Sequence, residues 1–542
     1  MSWDTIVVGS GIAGMCAAVA LARNGQRVLV LEQHYLPGGW TQSFTLDQYR
    51  FSPGVHYIGD LHEGGGVRRI LEGLGLTRDL EFCELSPDGY DHVLVGSERF
   101  DIPSGFARYF ERLVERFPGE RDGLRRYFDT LHAVTLDVQK CDHLLSFPEV
   151  LTVPFRAPSL MRYGFTRLAP LLERRVRDPF LRGVLSAQCG NHGLAPSRVA
   201  LPVHAVMVEH YLNGGYYPRG GAKAIPSAMI KELRRHGGKI RTRARVAEIL
   251  VERGRAVGVV LEDGERIDAS FVVSNADPAV TFGRLVKSGD GAAERRRARR
   301  MEYSVGMISV FCAVELDLRG LGYDSGNYWW FRTPDVGGAY ERMERELPGD
   351  EVDGLFLTIT TLKNPEELRR GRHTLEMFTY VPYEPFEKWR GAPQGQRGEE
   401  YERFKRALGD KMLRAAENVI PGLRKAIRFV EVGTPLTNEF YCESVLGAAL
   451  GTAKTPFQIG PFSFQTRSSI RSLYSCGAST LSHGVGGAAI SGVIAAQHVL
   501  GRASRDDVLG PADGSLRIHP AGQLPPLERS RRNEPSPSAR WV

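Results

Sequence analysis

The segment "TIVVGSGIAGMCAAVALARNGQRVLVLEQ" (residues 5–33) constrains this chain more than any other. Thr5 to Val8 are apolar or β-branched, as a buried strand requires. Gly9, Gly11 and Gly14 follow at once as GxGxxG. In a strand–turn–helix, such glycines make the tight turn, let backbone approach a pyrophosphate, and seat the helix against the strand. Ile12, Met15, Val19 and Ala22 recur at helical spacing, and Gly25 after Asn24 supplies a C-terminal cap. Val28 to Leu31 read as the next strand, with Glu32 at its end, placed to accept from a ribose hydroxyl. Strand, glycines, helix, strand and acid in that order predict a dinucleotide grip.

The remainder divides by pattern. Residues 71–200 read mostly helical, a cap. Within it "VPFRAPSLMRYGFTRLAPLLERRVRDPFLRG" interleaves arginines with Phe155, Leu160, Met161, Tyr163 and Phe165. Such mixing suits either an interfacial membrane anchor or a solvated cap packing its apolar face inward. From Gly214 a glycine-rich loop leads into a helix ending at Gly237. Strands at 239–242 and 246–251 follow, then a hairpin turning at Asp263-Gly264 and a buried strand at 271–274. Strand 239–242 and the Val246 backbone are expected to rejoin the first sheet. The run Arg295 to Arg300 reads as a solvated helix face. Residues 301–440 alternate strand-like runs with polar helices, a second, substrate-bearing sheet. Near the end, Leu473 to Cys476 form a strand. Gly477, Gly484, Gly486 and Gly487 then open a helix of small residues. The Pro-, Ser- and Arg-rich segment 503–542 reads as a disordered tail. Segments 1–70, 201–300 and 441–502 are thus the three parts of one cofactor-binding domain.

Composition narrows the partners. The net charge of +7 and pI near 9.0 allow contact with anionic surfaces, but no aromatic-spaced basic motif points to nucleic acid. Seven scattered cysteines without a CxxC pair fit free thiols in a reducing compartment. No histidine pair stands at HxxxH or other metal spacing, so no metal is expected. The grip starts too early for a preceding signal peptide, and no run of 18 uncharged apolar residues occurs. A cytoplasmic chain is expected, touching a membrane, if at all, from one face.

Gly38 and Gly39, six residues beyond Glu32, continue the motif in a way that resembles the FAD-binding half of amine-oxidase-like flavoproteins. With "GGYYPRGGAKAIPSAM" and the C-terminal glycines, residues 3–502 resemble the phytoene-desaturase-like flavoproteins. "LEQHYLPGGWTQSF", "FSPGVHYIGD", "MFTYVPYEPFEKW" and "GTPLTNEFY" look like the carotenoid isomerase and retinol saturase branch. The chain departs from the pattern at Trp40, at Ser52, where an acid is common, and at Ser482-His483.

The resemblance implies an α/β fold of amine-oxidase and GDP-dissociation-inhibitor type. A Rossmann-type FAD-binding domain would carry a sheet-containing substrate domain and a helical cap. It also implies non-covalent FAD and saturation, isomerisation or desaturation of a hydrophobic polyene by hydride exchange at the flavin. FAD binding is expected at Gly9, Gly11, Gly14, Glu32, Gly38, Gly39, Val246, Gly477 and Gly486. His56, Tyr57 and His483 are candidates for proton transfer or polyene contact, with Asn438 and Glu439 behind them. The bland alternative for each is a hydrogen-bonded structural residue. Only one full GxGxxG occurs, so electrons are expected from, or to, an external donor or acceptor. A flavin oxidase acting on another substrate and a non-enzymatic, GDP-dissociation-inhibitor-like isoprenoid carrier remain the competing readings.

Overall fold

The computed structural model describes residues 3–141, 153–512 and 514–524. Its organising layer is a parallel sheet. The strand Trp3–Val8 lies between Val28–Leu31 and the far half of Arg266–Ser274. Lys239–Arg241 extends one side and Leu473–Ser475 the other, both parallel. All four residues from Thr5 to Val8 are buried, as their branched side chains predict. The near half of Arg266–Ser274 turns antiparallel and pairs with Arg255–Leu261, which pairs in turn with Val246–Glu252. The expected return of strand 239–242 to the first sheet is therefore observed.

Two of the helices on one face of this sheet, Ile12–Arg23 and Gly484–Leu500, lie against each other. They cross closely, since a Cβ on Gly492 would stand 2.1 Å from the Ala13 carbonyl oxygen. The run of small residues in the second helix is thus a packing requirement of the first.

The second sheet runs in the order 427–433, 306–314, 373–381, 354–359, 327–331, 91–95, 98–102. Its last two strands lie within the segment 71–200, expected to be mostly helical, and are the part of it that expectation missed. Asp91–Val95 pairs parallel with Asn327–Phe331, and Glu98–Ile102 closes the edge. Asp91–Val95 is almost wholly buried, so it carries no alternation of buried and exposed residues that would mark it as a strand between helical neighbours. Helices do cover this sheet: Phe106–Arg116 buries Tyr109, Phe110, Leu113 and Val114, one stripe at helical spacing. Arg121–Cys141, Leu168–Arg175, Pro179–Ala187 and Leu201–Leu212 complete the layer.

Two other expectations change. The tail folds as far as it is described: Arg517–His519 pairs parallel with Glu81–Glu84, and Val508, Leu509 and Leu516 are buried. Residues 525–542 lie outside the described residues. Secondly, the basic run is not purely solvated. The Arg295 guanidinium caps the carbonyls of Phe282, Val286 and Ser288, and Arg297 those of Phe462 and Ser463. Among the described residues no helix is long and apolar enough to cross a membrane.

Candidate active site

A cavity of about 1690 Å³ runs from the glycine turn, between the sheets, to the surface of the cap. At its inner end Val8, Gly9, Ser10, Gly11, Ile12 and Ala13 form the wall, so the N-terminus of the Ile12–Arg23 helix faces the space. Free N–H groups there suit phosphate. Asn275, whose amide donates to the Val8 carbonyl, fills the turn behind the glycines. A Cβ at Gly11 would reach 2.6 Å from Asn275 Nδ2, and one at Gly14 would reach 2.3 Å from the Gly9 carbonyl oxygen. Gly14 therefore seats helix on strand and does not line the cavity, whereas Gly9 and Gly11 do.

Glu32 closes the second strand and is buried in the cavity wall. Its Oε2 accepts from the Ser10 amide (2.9 Å) and hydroxyl (2.6 Å), and its Oε1 from the His34 amide (2.8 Å). The carboxylate is thus oriented before any ribose arrives. Gly38 and Gly39 both adopt positive φ, and a Cβ on Gly39 would stand 3.3 Å from Gly11 Cα. Gly39 lines the cavity; Gly38 makes the turn, its amide donating to Ser10 Oγ. Val246 lines the same end, with Ala244 tied to the Glu32 carbonyl. Gly477 and Gly486 line the middle of the cavity, where the N-terminus of the Gly484–Leu500 helix opens into it. That helix end favours negative charge on whatever lies there.

Lys454 reinforces this field. It lines the cavity, and its ammonium donates to the Ala478 carbonyl and to Thr452 Oγ1. Burial pushes it down to about 7, against the pull of Asp277. Asp277 is pushed up by burial while accepting from Ser479 and Tyr303. The cradle, the oriented acid and the two helix N-termini fit a flavin carried on a dinucleotide.

The outer part of the cavity is apolar, lined by Trp40, Val203, Met207, Met307, Phe356, Phe378 and Tyr380. His56 and Tyr57 sit at the junction of the two parts. His56 Nδ1 is 2.9 Å from Glu376 Oε2, and its ring stacks on Phe378. Glu376 also accepts from the Ser52 amide, so a carboxylate reaches the Ser52 position from another strand. Tyr57 donates to Asp91 Oδ2 (3.0 Å) and accepts from Asn191 Nδ2 (2.9 Å). Burial, then the Asp91 charge, raises the Tyr57 phenol well above its ordinary range. Asp91 is fully buried and raised by that burial, although Gln188, Asn327 and Tyr57 all donate to it. Lys363 completes the network by donating to Asn327 Oδ1 and to the His56 carbonyl, and burial lowers it to about 7.

His483 lines the cavity and donates through Nε2 to the Asn191 carbonyl. Its Nδ1 is buried with no partner among the described residues, and burial holds the ring neutral by pushing its pKa well down. Asn438 and Glu439 lie off the cavity. Asn438 donates to the Gly447 carbonyl, and Glu439 accepts from Tyr383 and pairs with Arg390, so both are structural. Asn275, Asp91, Lys363, Glu376 and Lys454 were not legible as site residues, because each arrives from an element without a motif of its own.

Sequence spacing also conceals a convergence of Cys189, His192 and His204, whose ligand atoms lie within 4.8 Å of one another. Here Tyr127, His204 and His192 form a hydrogen-bonded chain in the packed cap, directly behind the cavity wall, with the His192 ring edge-on to that of His483.

Residues 12–304 match the family described as flavin containing amine oxidoreductase. Human all-trans-retinol 13,14-reductase is 30% identical over 524 residues, spanning 92% of this chain and 86% of that protein. Carrot (Daucus carota) prolycopene isomerase, a chloroplast protein, is 27% identical over 538 residues, 94% and 82%. Among solved structures, a double mutant of putrescine oxidase superposes with a TM-score of 0.62 at 16% identity, covering 93% of this chain and all of that one. An oxidoreductase from Methanosarcina mazei gives 0.61 at 18% over 92% of this chain and all of that one. These two establish the fold. The chain belongs to the flavin containing amine oxidoreductases, in the branch that holds the retinol reductases and prolycopene isomerases.

Proposed function

We propose that the chain binds FAD and adds, removes or relocates hydrogen at a carbon–carbon double bond of a long isoprenoid polyene. The observation that carries this reading is the cavity itself: a polar, glycine-walled end continues into an apolar, aromatic arm. A rigid rod of conjugated carbon suits such an arm, which needs no charged anchor. The named activities of the relatives, on retinol and on prolycopene, are of this class.

The oriented Glu32 carboxylate would hold the adenosine ribose and the Ile12–Arg23 N-terminus the pyrophosphate. When bound, a flavin supplies or accepts the hydride. Phe356, Phe378 and Tyr380 would exclude water and fix the polyene in the outer arm. Saturation also needs a proton. Tyr57 is the hydroxyl on the wall with a buried carboxyl behind it, and the raised pKa of Asp91 lets it hold the replacement proton. No second dinucleotide grip follows from the sequence, so an external donor or acceptor would exchange electrons with the bound flavin.

Anaerobic photoreduction of the purified flavoprotein, followed by retinol or an acyclic carotene in detergent micelles, tests this. Return of the oxidised flavin spectrum with a product two hydrogens heavier marks a saturase. Changed isomers without reoxidation mark an isomerase, and bleaching of the oxidised form by a more saturated polyene marks a desaturase. Should none of these occur while simple amines reduce the flavin, the polyene reading fails.

A further inference from the structure

Behind the cavity wall the cap brings a thiol and two imidazoles together. Cys189 lies in the turn Gln188–Asn191, His192 just after it, and His204 on the helix Leu201–Leu212. All three are buried, at 0%, 1% and 0% exposure, and none lines the cavity. The trio matches no linear metal pattern, because its third member comes from a separate helix. His204 Nδ1 is 3.2 Å from His192 Nε2 and 4.0 Å from Cys189 Sγ, and the three ligand atoms fall within 4.8 Å of one another. One ring nitrogen thus faces an imidazole and a thiol at once. A hydrogen on it can serve only one of them, whereas a metal ion binds all three. Bonds of about 2.0 Å to nitrogen and 2.3 Å to sulfur place ligand atoms about 3.3–3.8 Å apart, so closing on an ion takes shifts of at most about 1 Å. Tyr127 stands 3.0 Å from His204 Nε2 and holds the far edge of that ring, as an outer partner does for a ligating histidine.

The ligand set and its burial select the ion. A thiolate beside imidazoles suits zinc or copper. Zinc in a closed site takes four ligands, and among the described residues no fourth cysteine, histidine, aspartate or glutamate joins these three. Copper is held by two histidines and a cysteine in a trigonal plane. Charge points the same way. A thiolate and copper(I) sum to zero, whereas zinc would leave a positive charge in the buried cap. The carboxylate whose charge reaches Cys189, that of Glu344, is already paired with Arg198.

We propose that Cys189 Sγ, His192 Nε2 and His204 Nδ1 bind a copper(I) ion in trigonal geometry, the thiol losing its proton to solvent as the ion enters. The ion clamps the turn 188–192 onto the helix Leu201–Leu212. That turn makes three contacts at the cavity. Gln188 donates to Asp91, Asn191 donates to Tyr57, and the Asn191 carbonyl receives His483. The clamp therefore fixes the backing of Tyr57 and His483 from outside the cavity.

The flavoprotein is produced in copper-supplemented medium, purified without oxygen, and compared with Cys189→Ser and Tyr127→Phe. Stoichiometric copper is expected in the wild type. A competing copper(I) chelator should strip Cys189→Ser completely at concentrations that leave the wild type loaded. Tyr127→Phe should weaken binding about 10- to 100-fold, the usual cost of losing an outer partner. Bound copper should raise the melting temperature of the wild type and not that of Cys189→Ser. X-ray absorption at the copper edge of the wild type should show one sulfur and two nitrogen neighbours, and it decides alone should Cys189→Ser fail to fold. Wild type without copper, copper held equally by wild type and Cys189→Ser, or a shell with two or more sulfurs overturns the proposal. So does a site that fills with zinc and excludes copper. None of these readouts uses a polyene, so the outcome is independent of the substrate.

Discussion

The phenol of Tyr57, on a loop, and the carboxyl of Asp91, on the second sheet, meet at 3.0 Å. Tyr57 follows the hairpin 44–51 at the cofactor domain's edge, while Asp91 opens the strand Asp91–Val95 of the second sheet. The pair therefore forms only when this loop packs on the second sheet, as Ser52 does through Glu376. Tyr57→Phe removes one oxygen and leaves the stacking on Tyr211 intact. We expect flavin content to be unchanged and polyene reduction to fall by roughly 10²–10⁴, the usual worth of a positioned acid. Asp91→Asn should give a smaller loss and shift the pH profile of the rate. Wild-type turnover in Tyr57→Phe would assign the proton to another group.

Glu32 is held by Ser10 through both its amide and its hydroxyl. Glu32→Ala should leave these donors and the His34 amide without their acceptor and remove the ribose contact. Hydrogen bonds to charged groups contribute about 1.5–3 kcal/mol. FAD affinity is expected to drop roughly 10- to 100-fold, measured by titrating apoprotein with FAD and following flavin fluorescence. Gly11→Ala should do the same by another route, because its Cβ would press on Asn275. Unaltered affinity in both variants would separate this cradle from cofactor binding.

These two cases mark what a sequence shows and what it hides. The fingerprint is legible because every part of it, from Thr5 to Glu32, lies in one continuous βαβ unit with a fixed order. The final glycines are legible for the same reason. Asp91, Glu376, Lys363 and Lys454 are not, since their roles arise from partners on other segments that no local pattern announces. Glu376 meets Ser52 from 324 positions away, and Lys363 meets His56 from 307. The strands at 81–84, 91–95 and 98–102 were hidden by their length and by strongly amphipathic helices nearby. The tail misled by composition: its prolines and arginines conceal Val508, Leu509 and Leu516, which the fold buries.

Lys363 and Lys454 make a prediction about pH. Both are buried, and both are lowered from an ordinary 10.5 to about 7. Between those values the unfolded chain binds more protons than the folded one. Stability therefore rises with pH from about 7 towards 10.5, and the full penalty is felt on the acid side. At about 1.4 kcal/mol per pH unit, each lysine should add roughly 2 kcal/mol between pH 7.5 and 9.5. Denaturant midpoints at the two pH values measure this. Lys454→Met should flatten the difference, and an equal slope in wild type and variant would place the titration elsewhere.

The last prediction concerns the segment beyond the final cofactor helix. Val508 and Leu509 pack with Ile70, Leu71 and Leu74, and the Gly510 amide donates to the Gly73 carbonyl. Asn24, just past the first cofactor helix, donates to the Val508 carbonyl. Leu516 is buried beside Leu76, and Arg517 and His519 both pair with Glu81, which also receives Arg219. A chain ending at Arg502 loses three buried aliphatic side chains, each contributing about 1.5–3 kcal/mol as an upper bound. It also leaves the strand Glu81–Glu84 with an open edge. We expect the temperature of flavin release to fall by several degrees and limited proteolysis to begin in the 66–84 region. Leu516→Ala should reproduce part of the shift without removing the strand. An unchanged release temperature in the truncated chain would mean that the segment covers the cofactor domain without holding it together.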